Sequence, residues 1–168
     1  MTRFIIPARA GGKTRLGDEG LARCMADDVA AAARALGDEP LLVTEPGGLG
    51  HAVTAALARL RGPVAIVNGD CPCVTPDELA ELVASAPSLV AAGDGTTNAL
   101  ALLDARDFVS LYGPGSADRF EAHLRARRVD LPGLRDDVDT WDDVERVRDR
   151  LGTNTRAYLG QRDRLRVA

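Results

Sequence analysis

The sequence predicts one α/β domain built on a mostly parallel mixed sheet. Short apolar, β-rich runs alternate with longer stretches of Ala, Leu and Arg, which is the pattern of crossover units on such a sheet. The length of 168 residues suits a single domain over residues 1–168. With 45% hydrophobic and 27% charged residues, the composition is that of an ordinary globular protein.

The individual elements follow from buried apolar runs and from helix-capping residues. Thr75 and Pro76 mark the start of the third helix, as its N-cap and its first-turn proline. The Arg-rich end from Gly160 is predicted to be solvated, within a possible terminal segment over 152–168. The predicted strands are 4–6, 41–43, 64–67, 88–92 and 99–103, and the predicted helices are 21–36, 51–60, 76–85, 117–127 and 141–151.

Charge and composition narrow the class of partner. The net charge is −4 and the pI is near 5.2, so we expect small-molecule partners and neither nucleic acid nor membrane. No apolar run approaches the ~20 residues of a membrane span, and the apolar run at the start is too short for a signal peptide. A cytoplasmic protein is therefore expected, and Cys24, Cys71 and Cys73 are expected to be reduced structural thiols.

Glycine and aspartate cluster directly after three predicted strands. Residues 11–13 (Gly-Gly-Lys) follow the first strand, 47–50 (Gly-Gly-Leu-Gly) the second, and 68–70 (Asn-Gly-Asp) the third. In an open α/β sheet the carboxyl ends of parallel strands border one crevice, where ligands usually bind. The sequence therefore predicts a ligand site at this edge.

The segment 7–16 (Pro-Ala-Arg-Ala-Gly-Gly-Lys-Thr-Arg-Leu) is typical of a phosphate-binding loop. Its glycines allow backbone N–H groups to approach a phosphate, and Arg9, Lys13 and Arg15 would neutralise charge. Lys13 is the single lysine of the chain, which indicates either selection for a compact ammonium group or an arginine-favouring composition. A Walker A loop is disfavoured, because Pro7 stands where its first glycine is required.

Two acidic clusters could share a metal ion. Asp70 follows a buried strand, and a second acidic run, 136–139, precedes the helix at Trp141. Mg²⁺ prefers one or two carboxylates together with substrate phosphates. The alternative is that these residues cap helices; Thr140 or Asp139 could be the N-cap of the helix at Trp141.

Two further segments, 93–100 and 112–116, are rich in glycine and hydroxyl residues. They read Gly-Asp-Gly-Thr-Thr-Asn-Ala-Leu and Tyr-Gly-Pro-Gly-Ser. Backbone N–H groups and hydroxyls without large side chains suit a small anionic ligand, although ordinary tight turns would have the same composition.

Taken in order, these motifs resemble the guanylyltransferase family of coenzyme F420 biosynthesis, whose members couple GTP to phosphoenolpyruvate or to 2-phospho-L-lactate. The resemblance covers about 3–151 and implies a three-layer αβα Rossmann-like domain of the nucleotide-diphospho-sugar transferase type. It rests above all on 95–100 (Gly-Thr-Thr-Asn-Ala-Leu) and 113–116 (Gly-Pro-Gly-Ser). The chain has Gly50 where the family usually has asparagine in Gly-Leu-Asn.

The resemblance also implies roles for single residues. Thr97, Gly113 and Ser116 would bind the acceptor, and Asp70 and Asp139 would bind Mg²⁺ as the only cofactor. Lys13 and Arg15 join these two aspartates as the catalytic set. The nucleotide would lie against Pro7, Ala8, Arg9, Lys13, Gly48, Gly50, Asn68 and Gly69.

Several alternatives remain open on the sequence. The motifs do not separate phosphoenolpyruvate from 2-phospho-L-lactate, although an Arg- and Ala-rich composition favours a GC-rich bacterial source and hence phosphoenolpyruvate. A sugar-1-phosphate or molybdopterin nucleotidyltransferase would share the fold, and a non-catalytic nucleotide-binding module is a different class. His51 is expected on a loop, solvated or capping a helix. Handover of a labile diphosphate product to the next transferase of the F420 pathway is also expected.

Overall fold

The computed structural model describes residues 2–8, 16–44 and 47–167. Its centre is a six-stranded mixed sheet of order β2-β1-β3-β5-β4-β6, in which β5 alone runs antiparallel to its neighbours. The predicted mostly parallel mixed sheet is therefore confirmed. The strands are β1 (Arg3–Pro7), β2 (Leu41–Val43), β3 (Val64–Val67), β4 (Ser88–Ala91), β5 (Thr97–Leu102) and β6 (Arg127–Arg128).

Seven helices accompany the sheet within the described residues. The five predicted helices are present with ends shifted by a few residues, and the predicted N-cap Thr75 forms a capping box with Glu78. The helices are α1 (Glu19–Ala35), α2 (Leu49–Leu57), α3 (Pro76–Ala84), α4 (Ser116–Leu124), α5 (Pro132–Arg135), α6 (Trp141–Val147) and α7 (Thr153–Val167). None of the helices described is long and apolar enough to cross a membrane.

Two hydrophobic cores, one on each face of the sheet, account for the three layers. Alternation along β1 sends Phe4 and Ile6 to one face and Ile5 to the other. The first core is closed by α1 and α3, which supply Val29, Leu79 and Leu82 among others. The second core is closed by α2 and α4, which supply Val53, Leu57, Ala117 and Phe120.

Several short elements were not predicted, among them a 3-10 turn over Ala105–Asp107. Strand β6 has two residues and α5 has four, so neither is long enough to show a hydrophobic period. The helix predicted over 141–151 ends at Val147, and the chain continues as a 3-10 turn over Arg148–Arg150.

The segment from Gly160, predicted to be solvated, is largely exposed as far as Leu165, and it belongs to helix α7, which was not predicted. The helix packs on α1 through a third apolar cluster that includes Leu21, Met25 and Leu159. Its exposed residues, among them Gln161, Asp163 and Arg164, carry the polar composition on which the prediction was based.

Buried Asp28 of α1 holds the start of α7. Its carboxylate accepts hydrogen bonds from the backbone N–H groups of Asn154 (2.8 Å) and Thr155 (2.9 Å) and from the Asn154 side chain (3.0 Å). These N–H groups belong to the first turn of the helix and have no intrahelical partner. The negative charge of the carboxylate also interacts favourably with the positive end of the helix dipole.

Farther along α7, Arg162 packs 4.0 Å from the ring centre of Trp141 and pairs with Asp18, the N-cap of α1, at 2.7 Å. The Tyr158 hydroxyl also donates to Asp18 (2.7 Å), and the Trp141 indole N–H donates to the Leu16 carbonyl (3.2 Å). Burial raises the pKa of Asp18, but the hydrogen bonds from Tyr158 and from the Leu21 backbone, with the charge of Arg162, lower it overall. The last helix thus fixes the chain where it enters α1.

Replacing Asp28 with Ala should lower the free energy of unfolding by about 2–4 kcal/mol, because buried N–H groups lose a charged acceptor. Urea unfolding followed by circular dichroism measures this. Asp27→Ala, on the neighbouring residue, should change it by no more than about 0.5 kcal/mol. Equal effects of the two substitutions would show that Asp28 does not anchor α7.

Candidate active site

Several of the described residues that the sequence singled out meet at one edge of the sheet. This edge is formed by the carboxyl ends of β1, β3 and β4 and, because β5 is antiparallel, by the amino end of β5. The Gly69 N–H donates to the Pro7 carbonyl (3.1 Å), and the Asn68 side chain donates to the Thr97 carbonyl (3.2 Å). The predicted nucleotide residues Asn68 and Gly69 therefore lie between β1 and β5.

Gly69 lies where the chain after β3 closely approaches both β1 and α1. A Cβ atom at this position would lie 3.1 Å from the Ala26 side chain of α1 and 3.3 Å from the Pro7 carbonyl oxygen. Both distances are shorter than ordinary contacts, so a side chain would require α1 or the end of β1 to shift by a few tenths of an ångström.

Three aspartates converge at this edge: Asp70, Asp137 and Asp139. Each offers a carboxylate oxygen, and these oxygens lie within 4.8 Å of one another, with all three residues partly buried. The Val138 N–H donates to the Asp70 carbonyl (2.9 Å), which ties the acidic run 136–139 to the end of β3. Asp70 and Asp139, predicted as a pair from distant parts of the sequence, are thus brought together.

Sequence reasoning missed Asp137 as a member of this cluster. It lies two residues before Asp139 in the same acidic run, and that i, i+2 spacing in an extended segment was the available signal. Burial raises the pKa of Asp137, the Asn98 side-chain hydrogen bond lowers it, and the negative charge of Asp139 raises it, with a net increase. The predicted alternative also holds in part, because Thr140 is the N-cap of α6 and forms a capping box with Asp143.

The donor set fits a hard divalent cation. Carboxylate oxygens are the ligands that Mg²⁺ takes in proteins, and it usually keeps open positions for substrate phosphates. The nearby Cys71 and Cys73 are free thiols, and soft thiolates are not the ligands that a hard cation such as Mg²⁺ prefers. Burial raises the pKa of Cys71 well above its usual value and that of Cys73 to about 11.

The predicted acceptor residues also lie together, and Thr97 is the first residue of β5 at this edge of the sheet. The hydroxyl oxygens of Thr97 and Ser116 are 3.0 Å apart and buried. The Ser116 N–H donates to the Gly113 carbonyl (3.0 Å), and this loop leads into α4. One hydroxyl proton is used within the Thr97–Ser116 pair, so one remains that can be donated elsewhere.

The two hydroxyl- and glycine-rich segments contact each other. The Ala117 N–H donates to the Gly95 carbonyl (3.2 Å), which joins the start of α4 to the turn between β4 and β5. Within that turn, Asp94 accepts from the Thr96 N–H (2.9 Å) and hydroxyl (2.6 Å), which lowers the pKa of Asp94. Asp94 thus makes the hydrogen bonds of an ordinary tight turn.

Gly50, at which the chain departs from the family pattern, faces the segment before Gly113. It lies in the first turn of α2, which begins after Gly48, and a Cβ atom there would overlap the Ser110 hydroxyl. A side chain at position 50 would therefore require the Ser110 side chain to rotate away. His51 is exposed, as predicted, and lies in α2, which begins two residues before the helix predicted over 51–60.

The remaining predicted site residues are in part outside the described residues. Arg9, Lys13 and Arg15 fall there, so their roles stay predictions. Pro7 and Ala8 are described: the Pro7 carbonyl accepts from Gly69, and the Ala8 N–H donates to the Val43 carbonyl (2.9 Å). The strand that precedes the predicted phosphate loop is thus held between β2 and β3.

Comparison with known proteins gives the same family as the motifs. A phosphoenolpyruvate guanylyltransferase from Nocardia farcinica is 40% identical over 126 residues, which are 66% of this chain and 54% of the relative, so the chain spans about half its length. One from Streptomyces scabiei is 31% identical over an alignment of 192 positions, covering 84% of this chain and 87% of the relative. No family model matches the chain.

The solved structure of a candidate nucleotide-diphospho-sugar transferase from Desulfovibrio desulfuricans has the same fold, with a TM-score of 0.63 at 17% identity, over 98% of this chain and 96% of that one. The predicted nucleotide-diphospho-sugar transferase type of fold is therefore confirmed. Because the match to the Streptomyces protein covers most of both chains, this chain belongs to the phosphoenolpyruvate guanylyltransferase family.

Proposed function

We propose that this protein couples GTP to phosphoenolpyruvate, giving enolpyruvyl-2-diphospho-5'-guanosine and pyrophosphate. The observation that carries the proposal is the convergence of three carboxylates, Asp70, Asp137 and Asp139, at the edge of the sheet where β5 begins with Thr97, the partner of Ser116. The names of the relatives support phosphoenolpyruvate over 2-phospho-L-lactate as the acceptor. A non-catalytic nucleotide-binding module would not need this cluster.

The main physical problem of the reaction is that two polyanions must meet. Like charges about 4 Å apart repel by ~4 kcal/mol per unit pair at an effective dielectric constant near 20. Asp70, Asp137 and Asp139 would hold Mg²⁺, which supplies positive charge to the phosphates when bound. Arg9, Lys13 and Arg15 would add charge where pyrophosphate leaves.

The bond changes need no general base from the protein. An oxygen of the acceptor phosphate forms a bond to the α-phosphorus of GTP, and the bond from that phosphorus to the bridging oxygen of the β-phosphate breaks. Pyrophosphate leaves with the electron pair of that bond. A phosphate monoester has a second pKa near ~6 and is already largely ionised at pH 7, so no proton has to be removed from the attacking oxygen.

The chain's own residues would orient the acceptor. The hydroxyl proton left over from the Thr97–Ser116 pair can be donated to an acceptor oxygen, and the same loop places the positive end of the α4 dipole nearby. Asn68 and Gly69 would line the nucleotide side of the crevice. Small hydroxyl side chains suit a compact anionic acceptor better than a sugar 1-phosphate or a molybdopterin.

The proposal places the protein in the cytoplasm, where GTP and phosphoenolpyruvate are available. Its free thiols agree with a reducing compartment. Because a mixed diphosphate of an enol is labile, handover to the next transferase of the F420 pathway would protect the product.

A direct assay tests the activity. Pyrophosphate release is measured with GTP and each of four acceptors: phosphoenolpyruvate, 2-phospho-L-lactate, a sugar 1-phosphate and molybdopterin. ATP and CTP replace GTP as controls. Phosphoenolpyruvate with GTP should give the highest kcat/KM. Nucleotide binding without pyrophosphate release from any acceptor would contradict the proposal and indicate a binding module.

Asp70→Asn and Asp139→Asn should each lower kcat by about 1,000-fold or more, because several kcal/mol of charge stabilisation are lost. Steady-state kinetics measures the effect, and circular dichroism checks folding. Asp142→Asn, on an exposed residue near the cluster, is the matched control and should keep wild-type activity. Normal pyrophosphate release by either cluster variant would refute a metal role for its aspartate.

Thr97→Val should raise the KM for phosphoenolpyruvate by about 10-fold or more, because a hydrogen bond to a charged group is lost, while the KM for GTP should change by less than about 2-fold. Ser116→Ala should act in the same way, since the two hydroxyls form one pair. Equal losses on both substrates would argue against an acceptor site at this pair.

A further inference from the structure

The strand β5 carries a β-bulge at Asn98, next to the proposed acceptor residue Thr97. Val90 of β4 pairs with Ala99, and Ala91 pairs with Thr97, so Asn98 is the extra residue of β5. On its other side, β5 keeps contact with β3, because the Asn68 N–H donates to the Asn98 carbonyl (2.9 Å). Bulges re-aim side chains and are frequent next to active sites.

Because of the bulge, the side chains of Thr97 and Asn98 each lie on the face of the sheet opposite to the one that a regular strand would give them. Beyond the bulge, Leu100 belongs to the core closed by α2 and α4, whereas Ala99 belongs to the core closed by α1 and α3. Regular alternation would put Asn98 on the face of Leu100 and Thr97 on the face of Ala99. Instead, Thr97 meets Ser116 of α4, and Asn98 meets the end of α5 on the opposite face.

Asn98 holds the segment that leads to the acidic run. Its side-chain amide is buried and donates to the carbonyls of Leu134 (3.0 Å) and Arg135 (3.1 Å), at the end of α5. The last carbonyls of a helix have no intrahelical partner, so a donor from β5 fixes where the chain leaves α5. The next residues are the acidic run 136–139, which includes Asp137 and Asp139.

We propose that Asn98 is a positioning residue for the metal site. By tying the end of α5 to β5, Asn98 holds the acidic run 136–139 close to Asp70. The bulge that points Asn98 toward α5 also points Thr97 toward Ser116, where the acceptor is proposed to bind. This inference rests on the proposed function, because it assumes that Asp70, Asp137 and Asp139 hold the divalent cation. Asn98 itself does not touch the reacting atoms.

The test measures metal binding without substrates. Mn²⁺, as a paramagnetic substitute for Mg²⁺, is titrated into the full chain and the free ion is quantified by electron paramagnetic resonance. Asn98→Ala should weaken Mn²⁺ binding by about 10-fold or more, the usual effect of losing a residue that orients metal ligands. Asn98→Ser keeps one donor and should lose less affinity than Asn98→Ala. If Asn98→Ala does not fold, the Mn²⁺ affinity of Asn98→Ser still tests the positioning role.

Ser88→Ala is the matched control. Ser88 is also buried and donates to a backbone carbonyl, that of Leu82 (2.6 Å), but it lies at the opposite end of the sheet. Its loss should lower thermal stability without changing Mn²⁺ affinity. An unchanged affinity in folded Asn98 variants, or an equal loss in Ser88→Ala, would overturn the positioning role.

Asp70→Asn separates this inference from the proposed function. If Asp70→Asn abolishes Mn²⁺ binding and the Asn98 variants bind normally, only the role of Asn98 is wrong. If Asp70→Asn also binds Mn²⁺ like the wild type, the metal site itself is wrong. In the kinetic assay, Asn98→Ala should raise the Mg²⁺ concentration for half-maximal rate more than the KM for phosphoenolpyruvate, a split that a general loss of stability would not produce.

Discussion

The carboxylates of Asp70, Asp137 and Asp139 repel one another, yet the fold holds them within 4.8 Å. Such a cluster is stable only where backbone and side-chain hydrogen bonds fix its segments and a cation can share the charge. Two of these hydrogen bonds are donated by the Val138 N–H to the Asp70 carbonyl and by the Asn98 side-chain amide to the Leu134 carbonyl at the end of α5. The rest of the site is arranged around this concentration of negative charge.

The antiparallel strand β5 explains how the acceptor residues reach the same place. Parallel strands bring only their carboxyl ends to this edge, but β5 brings its amino end, with Thr97 and Asn98. One strand therefore contacts α4 through Thr97 and the end of α5 through Asn98. The two proposed subsites are joined by adjacent residues, so a shift of β5 would move both.

Long elements and local signals were predictable, whereas short and non-local features were not. Strand β3 is a continuous apolar run, and α3 begins at a Thr-Pro pair, so both have local signatures. The bulge at Asn98 depends on the pairing of β4 with β5, which no local pattern shows. Likewise, the polar sequence of α7 gives no sign that Asp28, 126 residues away from Asn154, accepts hydrogen bonds from its first turn.

The sequence by itself determined the α/β class, the order of the main strands and helices, the family and most of the candidate site residues, because these depend on local composition and on motifs that are contiguous in the chain. Only the tertiary structure decided that Asp137 joins Asp70 and Asp139, that the bulge turns Thr97 toward α4 and Asn98 toward α5, and that the last helix packs on α1. Each of these depends on contacts between segments distant in sequence, and such contacts arise only when the sheet assembles.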